Sequence, residues 1–295
     1  EIDNQAKAYR DEKLGGDFAK TPSFELTFNK IKERITAAFL HTQQALMVSD
    51  FVPDKFEFTP RETSGVTIDF GEGKQLVFNG FVDRGDVCTV DDKKYLRILD
   101  YKSSPKSINE KTLAAGVNLQ MLLYLFACTE KGAVYEGYEP AGVLYSPMMI
   151  KSLKLESSKN NSFNSAAIDS ELKTSGLLVG NIDVIKAMEH DGKGRFIPAK
   201  INSTDGCISR TSSVIAEGSM GRLREFVYNN LADTAESIYN GNMEAVPLIQ
   251  GNSLPCAYCR YGNICGNGKG VICREVSREK IEEAAELLGK ETDDK

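Results

Sequence analysis

Apolar residues recur at helical spacing in two long stretches of this chain. In residues 25–47, side chains such as Ile31, Ile35 and Phe39 follow one another every four positions, which predicts an amphipathic helix. Residues 111–128 show a similar period and contain an almost continuous apolar run, so we predict a second strong helix there.

Between and beyond these helices, short apolar stretches separated by turn-forming residues predict strands. Glycines in residues 71–73 and paired aspartates in residues 90–93 supply the turns. The predicted strands cover residues 55–58, 66–70, 75–84 and 94–101, followed by a buried strand at 140–150. Helix, antiparallel strands, helix and strand in this order indicate an α/β core in which helices flank a mixed central sheet.

The second half of the chain is more polar and less regular. Residues 152–175 are rich in Ser, Asn and Lys and predict a surface insertion or mobile loop. Helices are predicted at 213–239 and 277–288, with a Gly- and Pro-rich, cysteine-bearing coil at 251–270. We therefore expect three parts: an N-terminal helical segment at 1–54, a core at 55–250 with the insertion near 152–175, and a cysteine-rich coil with a C-terminal helix at 251–295.

Composition excludes some classes of protein. The 36 basic and 42 acidic side chains give a net charge of −6, which argues against a wholly basic nucleic-acid coat protein. A local basic patch or a bound metal could still supply the positive field that DNA binding needs. The longest apolar run, residues 121–128, is far shorter than the roughly 20 residues that span a bilayer. We expect no membrane association and a cytoplasmic location.

The start of the chain suggests a longer parent protein. It begins at Glu1, without Met and without a charged-then-apolar leader. We therefore expect no signal peptide, and we expect the chain to be a piece of something larger.

Two of the predicted strands place acidic residues and a lysine close together. If these strands form a hairpin centred on Asp91 and Asp92, Asp83 lies directly opposite Asp100, with Cβ atoms about 5 Å apart. Lys102 lies two residues beyond Asp100 and shares its face of the strand. Asp100 also continues the predicted buried face of the strand, so both carboxylates would be poorly solvated.

Facing carboxylates in such a position repel each other, and each loses solvation. A divalent cation between them would relieve both penalties, and their hard oxygen ligands suit Mg²⁺ or Mn²⁺. The nearby lysine could polarise a water or stabilise charge that develops on a phosphate. The spacing leaves one alternative open, a solvated acidic hairpin with Lys102 as its counter-ion.

The order of these motifs resembles a known nuclease family. An acidic residue on one strand and Asp-x-Lys on the next is the signature of the PD-(D/E)xK superfamily, and Gln120 and Tyr124 resemble the Gln-x-x-x-Tyr motif of its RecB-like branch. The resemblance covers about residues 30–266. The segments at 96–104, 176–188, 195–198 and 256–265 further resemble the C-terminal region of the B subunit of AddAB-type helicase–nucleases.

This resemblance implies a restriction-endonuclease-like fold and metal-dependent hydrolysis of DNA. It implies exonucleolytic action on single-stranded DNA, within a helicase–nuclease complex that processes double-strand breaks. The Asp83 and Asp100 carboxylates and the Tyr101 carbonyl would be ligands of Mg²⁺ or Mn²⁺, and Lys102 would assist the attacking water.

Three further residues are implicated by the same resemblance. Gln120 and Tyr124 would lie beside the metal site and contact DNA or orient the lysine. Glu57 matches a glutamate often found before the first acidic strand, and it would either support the site or merely begin a strand. The implied partners are DNA, an AddA-like helicase subunit and upstream domains of the same protein.

Three cysteines near the C-terminus form a separate candidate site. Cys256, Cys259 and Cys265 fall within ten residues, a spacing that suits zinc or iron–sulfur ligation. The resemblance implies a structural [4Fe–4S] cluster whose fourth cysteine lies far upstream. Because no cysteine precedes Cys88, we expect the cluster to be incomplete or absent in this fragment, with Cys273 as a candidate fourth ligand. The alternative is that these cysteines bind no metal.

The metal-binding histidine of the family also lacks a counterpart. His41 lies too near Asp83 in the chain and in the middle of a predicted helix, so we expect it to have a surface or packing role. Two other functions therefore stay open. One is a non-catalytic DNA-binding or scaffold module with a vestigial nuclease site, and the other is a stand-alone nuclease unrelated to helicases.

Overall fold

A computed structural model describes residues 1–14, 21–61, 66–103, 106–150, 165–249, 256, 259–265 and 273–289. The chain folds into two compact units, and each unit is built from three separate segments. The first unit comprises Glu1–Phe58, Val82–Ser107 and Ala141–Ser213, and the second comprises Thr59–Phe81, Ile108–Pro140 and Val214–Lys295.

The described residues form both strands and helices. The strands are β1 (Val52–Phe58), β2 (Val66–Asp69), β3 (Gln75–Phe78), β4 (Val82–Val90), β5 (Lys93–Lys102), β6 (Glu139–Pro147), β7 (Ser175–Val179) and β8 (Val214–Ile215). The helices are α1 (Ile2–Lys13), α2 (Pro22–Met47), α3 (Glu110–Ala114), α4 (Gln120–Thr129), α5 (Ser165–Leu172), α6 (Ile182–Met188), α7 (Met220–Tyr239), α8 (Gly262–Cys265) and α9 (Arg278–Leu287).

The first unit contains a mixed sheet with the strand order β1-β4-β5-β6-β7. β1, β4 and β5 are antiparallel neighbours, and so are β6 and β7. The Lys102 carbonyl at the end of β5 accepts a hydrogen bond of 3.0 Å from the backbone N–H of Met148, just beyond the end of β6. Because the C-terminal ends of β5 and β6 meet there, these two strands run parallel. The predicted α/β core with a mixed sheet is confirmed.

The predicted hairpin is also confirmed. β4 and β5 are joined at Asp91 and Asp92, whose φ angles of 48° and 61° place both residues in the left-handed region that a two-residue type I′ turn requires. The ladder then runs without a bulge from Val90 opposite Lys93 to Arg84 opposite Leu99.

Two predicted elements are each divided in the structure. Residues 75–84 do not form one strand, because β3 ends at Phe78 and β4 begins at Val82. Residues 111–128 do not form one helix, because Gly116 and Asn118 have φ angles of 68° and 62° between α3 and α4. A residue in the left-handed region cannot continue a right-handed helix, and hydrophobic periodicity alone does not reveal such a break.

Two predictions for the second half of the chain need correction. In the expected insertion at 152–175, residues 152–164 lie outside the described residues, but the next segment forms α5 rather than a loop. The helix expected from residue 213 begins at Met220, since β8 and a short 3₁₀ turn at Glu217–Ser219 precede it. The three-part division of the chain stays a prediction.

Helix α2 is covered along only part of its surface. Its apolar residues Ile31, Ile35 and Phe39 are exposed, whereas Ala38 and His41 are buried. Ala38 packs in a small apolar cluster with Ile150 and Leu172 of the same unit. The apolar spacing predicted the helix correctly, but the face that carries these apolar residues is not the buried face of the helix.

The second unit is organised around α4, in which every residue of Met121–Cys128 is buried. α4 contacts α7, and α3 contacts α9. The β2–β3 hairpin also contacts α7, where the Tyr239 ring lies edge-on to Phe70 and beneath the Lys74 ammonium. Among the described helices, none has both the length and the apolar character required to cross a membrane.

Candidate active site

Asp83 and Asp100 lie side by side at the open end of the β4–β5 hairpin. Arg84 pairs with Leu99, so the next position along the ladder places Asp83 opposite Asp100. The Asp83 Oδ2 atom accepts a hydrogen bond of 2.8 Å from the backbone N–H of Tyr101. The structure therefore brings the two acidic residues together as the sequence predicted.

Lys102 completes this group on the same strand. Its Nζ lies 2.5 Å from Oδ2 of Asp100, as expected for residues two positions apart on one face. Asp100 is 7% exposed, and the same Oδ2 atom is buried with no hydrogen-bond partner beyond Lys102. The ion pair thus leaves hydrogen-bonding capacity unused on a buried carboxylate oxygen.

The donor set suits a divalent cation with oxygen ligands. Two neighbouring carboxylates repel unless a positive charge lies between them, and Asp100 Oδ2 is paired with the Lys102 ammonium, which a bound cation would displace. The described residues contain no group of three His, Cys, Asp or Glu side chains that could hold a metal. The remaining ligands of a cation held by Asp83 and Asp100 would therefore be backbone oxygens or water.

Tyr145 of β6 is a neighbour that sequence reasoning missed. The residue is buried, and burial, with the negative charge of Asp100 as a second cause, raises the pKa of Tyr145 to about 12. Its phenol is therefore neutral at physiological pH. β6 was predicted as a strand, but periodicity does not reveal which strand it lies beside.

A buried ion-pair cluster occupies the opposite face of the hairpin. Asp86 is fully buried and accepts hydrogen bonds from Arg84 at 2.8 and 3.0 Å and from Arg97 at 3.0 Å. The Arg97 guanidinium also lies over the Phe51 ring, 4.7 Å from its centroid. The alternation of apolar and polar residues along β5 indicated one buried face. Because of this cluster, the other face of β5 is buried as well.

The same cluster reaches the segment that contains Asp100. Arg84 Nη1 donates a hydrogen bond of 2.8 Å to the Tyr101 hydroxyl, while Arg84 Nε and Nη2 hold Asp86. Burial lowers the pKa of Arg84, but the Asp86 carboxylate outweighs that effect and the net pKa is raised. Arg84 is therefore a fixed, charged donor.

Glu57 lies on the neighbouring strand in an unusual conformation. Phe56 pairs with Arg84 and Phe58 pairs with Val82, which places Glu57 across from Asp83. Glu57 has a φ angle of 46°, in the left-handed region that residues other than glycine rarely adopt. Its side chain is exposed, in contrast to that of Asp100.

With this geometry in hand, comparison with known proteins identifies the family. A model of the PD-(D/E)XK nuclease superfamily matches residues 3–266. The chain belongs to this superfamily. The paired carboxylates and the lysine at the end of the hairpin are thus found in a nuclease fold.

Similar proteins in the superfamily include several named as the B subunit of an ATP-dependent helicase/deoxyribonuclease. The protein from Thermoanaerobacter sp. (strain X514) is 27% identical over 299 residues, covering 98% of this chain and 26% of the relative. That from Clostridium novyi (strain NT) is 30% identical over 291 residues, covering 95% of this chain and 26% of the relative. The chain spans about a quarter of the length of these relatives.

The two residues that resemble the Gln-x-x-x-Tyr motif of the superfamily lie in the second unit. Gln120 begins α4, and its Nε2 donates a hydrogen bond of 3.1 Å to the Tyr124 hydroxyl. Gln120 is exposed and Tyr124 is buried. The Tyr124 hydroxyl packs directly on Gly80, at a point where any Cβ would overlap it.

The cysteine site is only partly described. The Cys259 N–H donates to the Cys256 carbonyl, and Cys265, the last residue of α8, donates its N–H to the Tyr261 carbonyl. Together with Cys273, they do not form a metal-binding group within the described residues. Within the described residues, these thiols are not grouped as a cluster or a zinc ion would require.

Neither histidine belongs to the carboxylate group. His41 is buried edge-on against the Phe196 ring, with a centroid distance of 5.0 Å, in agreement with the packing role expected for it. His190 is exposed and its Nε2 lies 2.8 Å from Oδ1 of Asp50.

Proposed function

We propose that this chain is a metal-dependent DNA nuclease module that hydrolyses phosphodiester bonds. The observation that supports the proposal is the grouping of Asp83, Asp100 and Lys102, in which the two carboxylates are adjacent and the Lys102 ammonium pairs with the largely buried Asp100. In a member of the PD-(D/E)XK superfamily, this arrangement has the chemistry that phosphodiester hydrolysis requires.

In this proposal, Asp83, Asp100 and the Tyr101 carbonyl hold Mg²⁺ or Mn²⁺. The cation supplies positive charge that offsets the charge developing on the phosphate. The Tyr101 N–H bound to Asp83 fixes one carboxylate, and Lys102, which is about one-third exposed, can turn from Asp100 to orient the attacking water. The water oxygen forms a bond to phosphorus as the bond to the leaving oxygen breaks; the attacking water loses a proton to solvent, and the leaving oxygen takes one up from solvent.

Residues outside the hairpin would position the DNA. We assign Gln120 as a DNA contact, because its side chain is exposed at the start of α4, and Tyr124 as its buried support. We also assign Glu57 to the support of the site, because it keeps a strained conformation opposite Asp83.

The relatives suggest the wider setting. Because they are named as subunits of ATP-dependent helicase/deoxyribonucleases, we propose that the chain acts on single-stranded DNA, as an exonuclease, within a helicase–nuclease complex that repairs double-strand breaks. A helicase subunit and further domains of its own protein would then be its partners. Cys256, Cys259 and Cys265 would receive a [4Fe–4S] cluster only once a further cysteine is supplied by the longer protein.

The direct test is cleavage of end-labelled single-stranded DNA by this chain in the presence of Mg²⁺ or Mn²⁺. Asp100→Ala should abolish cleavage without unfolding the chain, and Asp50→Ala, which removes an exposed carboxylate of the same unit, should leave it unchanged. Full cleavage by Asp100→Ala would refute the proposed site. DNA binding without hydrolysis under either metal would favour a non-catalytic module.

A further inference from the structure

Tyr101 connects the two faces of the hairpin. Its backbone N–H is bound by Asp83 on the face that carries Asp100 and Lys102. Its side chain points to the other face, where the hydroxyl accepts a hydrogen bond of 2.8 Å from Arg84. The Arg84 guanidinium carbon also lies 5.8 Å from the centroid of the Tyr101 ring. One residue therefore contacts both the candidate active site and the buried ion pairs behind it.

Arg84 is held tightly enough to fix the Tyr101 ring. Its Nε and Nη2 form a bidentate pair with Asp86, which has no solvent exposure and is shared with Arg97. Moving Arg84 would break charge-assisted hydrogen bonds that no water can replace. The remaining nitrogen of this group, Nη1, is the one that donates to the Tyr101 hydroxyl.

We propose that Arg84 is a positioning residue of the active site and acts through the Tyr101 hydroxyl. The inference rests on the proposed function. By fixing the ring, Arg84 fixes the peptide whose N–H orients Asp83 and whose carbonyl is assigned to the cation. Loss of the hydroxyl contact lets that peptide shift, and the affinity for a divalent cation falls although no ligand has been removed.

A purely structural role would have a different effect. If the Tyr101 hydroxyl only satisfies a buried donor, its removal lowers the free energy of unfolding and leaves cation binding unchanged. Cation affinity and stability must therefore be measured on the same variants.

The chain offers a matched pair of substitutions for this purpose. Tyr101→Phe removes only the oxygen that accepts from Arg84. Tyr228→Phe removes a hydroxyl that is likewise bonded to a charged group, since it donates to Glu130 at 2.6 Å in the second unit. Mn²⁺ binding to the 295-residue chain would be followed by electron paramagnetic resonance of free Mn²⁺, and stability by urea unfolding. The Mn²⁺ concentration for half-maximal cleavage provides a second readout.

We expect Tyr101→Phe to weaken Mn²⁺ binding about tenfold and to raise the Mn²⁺ concentration needed for cleavage by a similar factor. Tyr228→Phe should lose stability but keep the wild-type Mn²⁺ affinity. The double variant Arg84→Lys/Tyr101→Phe should bind Mn²⁺ no more weakly than Arg84→Lys alone, because the two substitutions break the same contact.

Two results would overturn the inference in different ways. In the first, the wild type binds Mn²⁺, Asp100→Ala does not, and Tyr101→Phe binds with unchanged affinity. This result would reject the positioning role and keep the proposed function. Absence of Mn²⁺ binding by the wild type, or equal binding by Asp100→Ala, would reject the proposed site, and the positioning role would be rejected with it.

Discussion

Glu57 lies across from Asp83 in the β1–β4 ladder and has a left-handed backbone conformation. The strand pairs on either side, Phe56 with Arg84 and Phe58 with Val82, define this position, and the φ angle of Glu57 is 46°. A left-handed conformation costs a residue with a side chain about 1–2 kcal/mol, which glycine does not incur. Strain of this kind persists where the surrounding structure enforces it, and it is common at functional sites.

We expect Glu57→Gly to raise the free energy of unfolding by about 1 kcal/mol, because the strain is relieved. Cleavage of DNA should nevertheless fall, since a carboxylate beside the site is lost. Urea unfolding and initial cleavage rates would measure the two effects. Asp92→Gly is the control, because Asp92 has a φ angle of 61° in the hairpin turn and should gain stability without losing activity. If Glu57→Gly is stabilised and fully active, the Glu57 carboxylate has no role in cleavage.

Asp86 should be among the residues least tolerant of substitution. Asp86→Ala leaves the guanidinium groups of Arg84 and Arg97 buried without their counter-ion, which costs about 3–5 kcal/mol. Equilibrium unfolding of the variant measures this loss. Glu72→Ala removes the partner of Lys74 from an exposed ion pair and should change stability little. Equal, small effects in both variants would show that the buried cluster is not needed for folding.

Gly80 should accept no side chain. In Gly80→Ala, the new methyl group would overlap the Tyr124 hydroxyl, and the shift required should cost about 1–3 kcal/mol. The cost should be smaller when Tyr124→Phe is also present, because the nearest atom is then gone. Gly218→Ala, where a Cβ meets open space, should be close to neutral. Thermal or urea unfolding of these variants measures the costs. The same cost of Gly80→Ala in the wild type and in Tyr124→Phe would contradict the predicted overlap.

His41 should make stability depend on pH. Burial lowers its pKa below the ordinary value of 6.5; the Asp169 carboxylate raises it and the Arg195 guanidinium lowers it further. The unfolded chain therefore binds this proton at a higher pH than the folded chain does. The contribution of His41 to the free energy of unfolding is therefore fully present above about pH 6.5. It is lost as the pH falls from there through the lower pKa of the folded state.

The variant His41→Gln isolates this contribution. Urea unfolding of the wild type and the variant, compared between about pH 7.5 and about pH 5.5, should show a smaller loss of stability on acidification in His41→Gln. The same loss in both proteins would assign the acid sensitivity to other groups.

The hairpin could be predicted from the sequence because its register depends on a local turn. Once Asp91 and Asp92 occupy a two-residue loop, the alternation along the strands leaves Asp83 and Asp100 facing each other. Residues whose environment depends on distant segments were not predictable in this way. Arg97 alternates with apolar neighbours like an exposed residue, and it is buried because Asp86 and Phe51 cover it.

The helices show the same limit. Apolar spacing located α2 but did not show that Ile31, Ile35 and Phe39 are exposed, because the spacing does not reveal what packs against a helix. The break between α3 and α4 depends on the backbone of Gly116 and Asn118, which apolar periodicity does not report.

The interleaving of the two units determines when the site can form during synthesis. The segment Val82–Ser107 brings Asp83 and Asp100 out of the ribosome long before Ala141–Ser213, which supplies most of β6 and all of β7. Until β6 is made, β5 lacks its parallel neighbour, and the two carboxylates lie on an unfinished sheet. The candidate site therefore gains the complete sheet around it only after β6 has emerged from the ribosome.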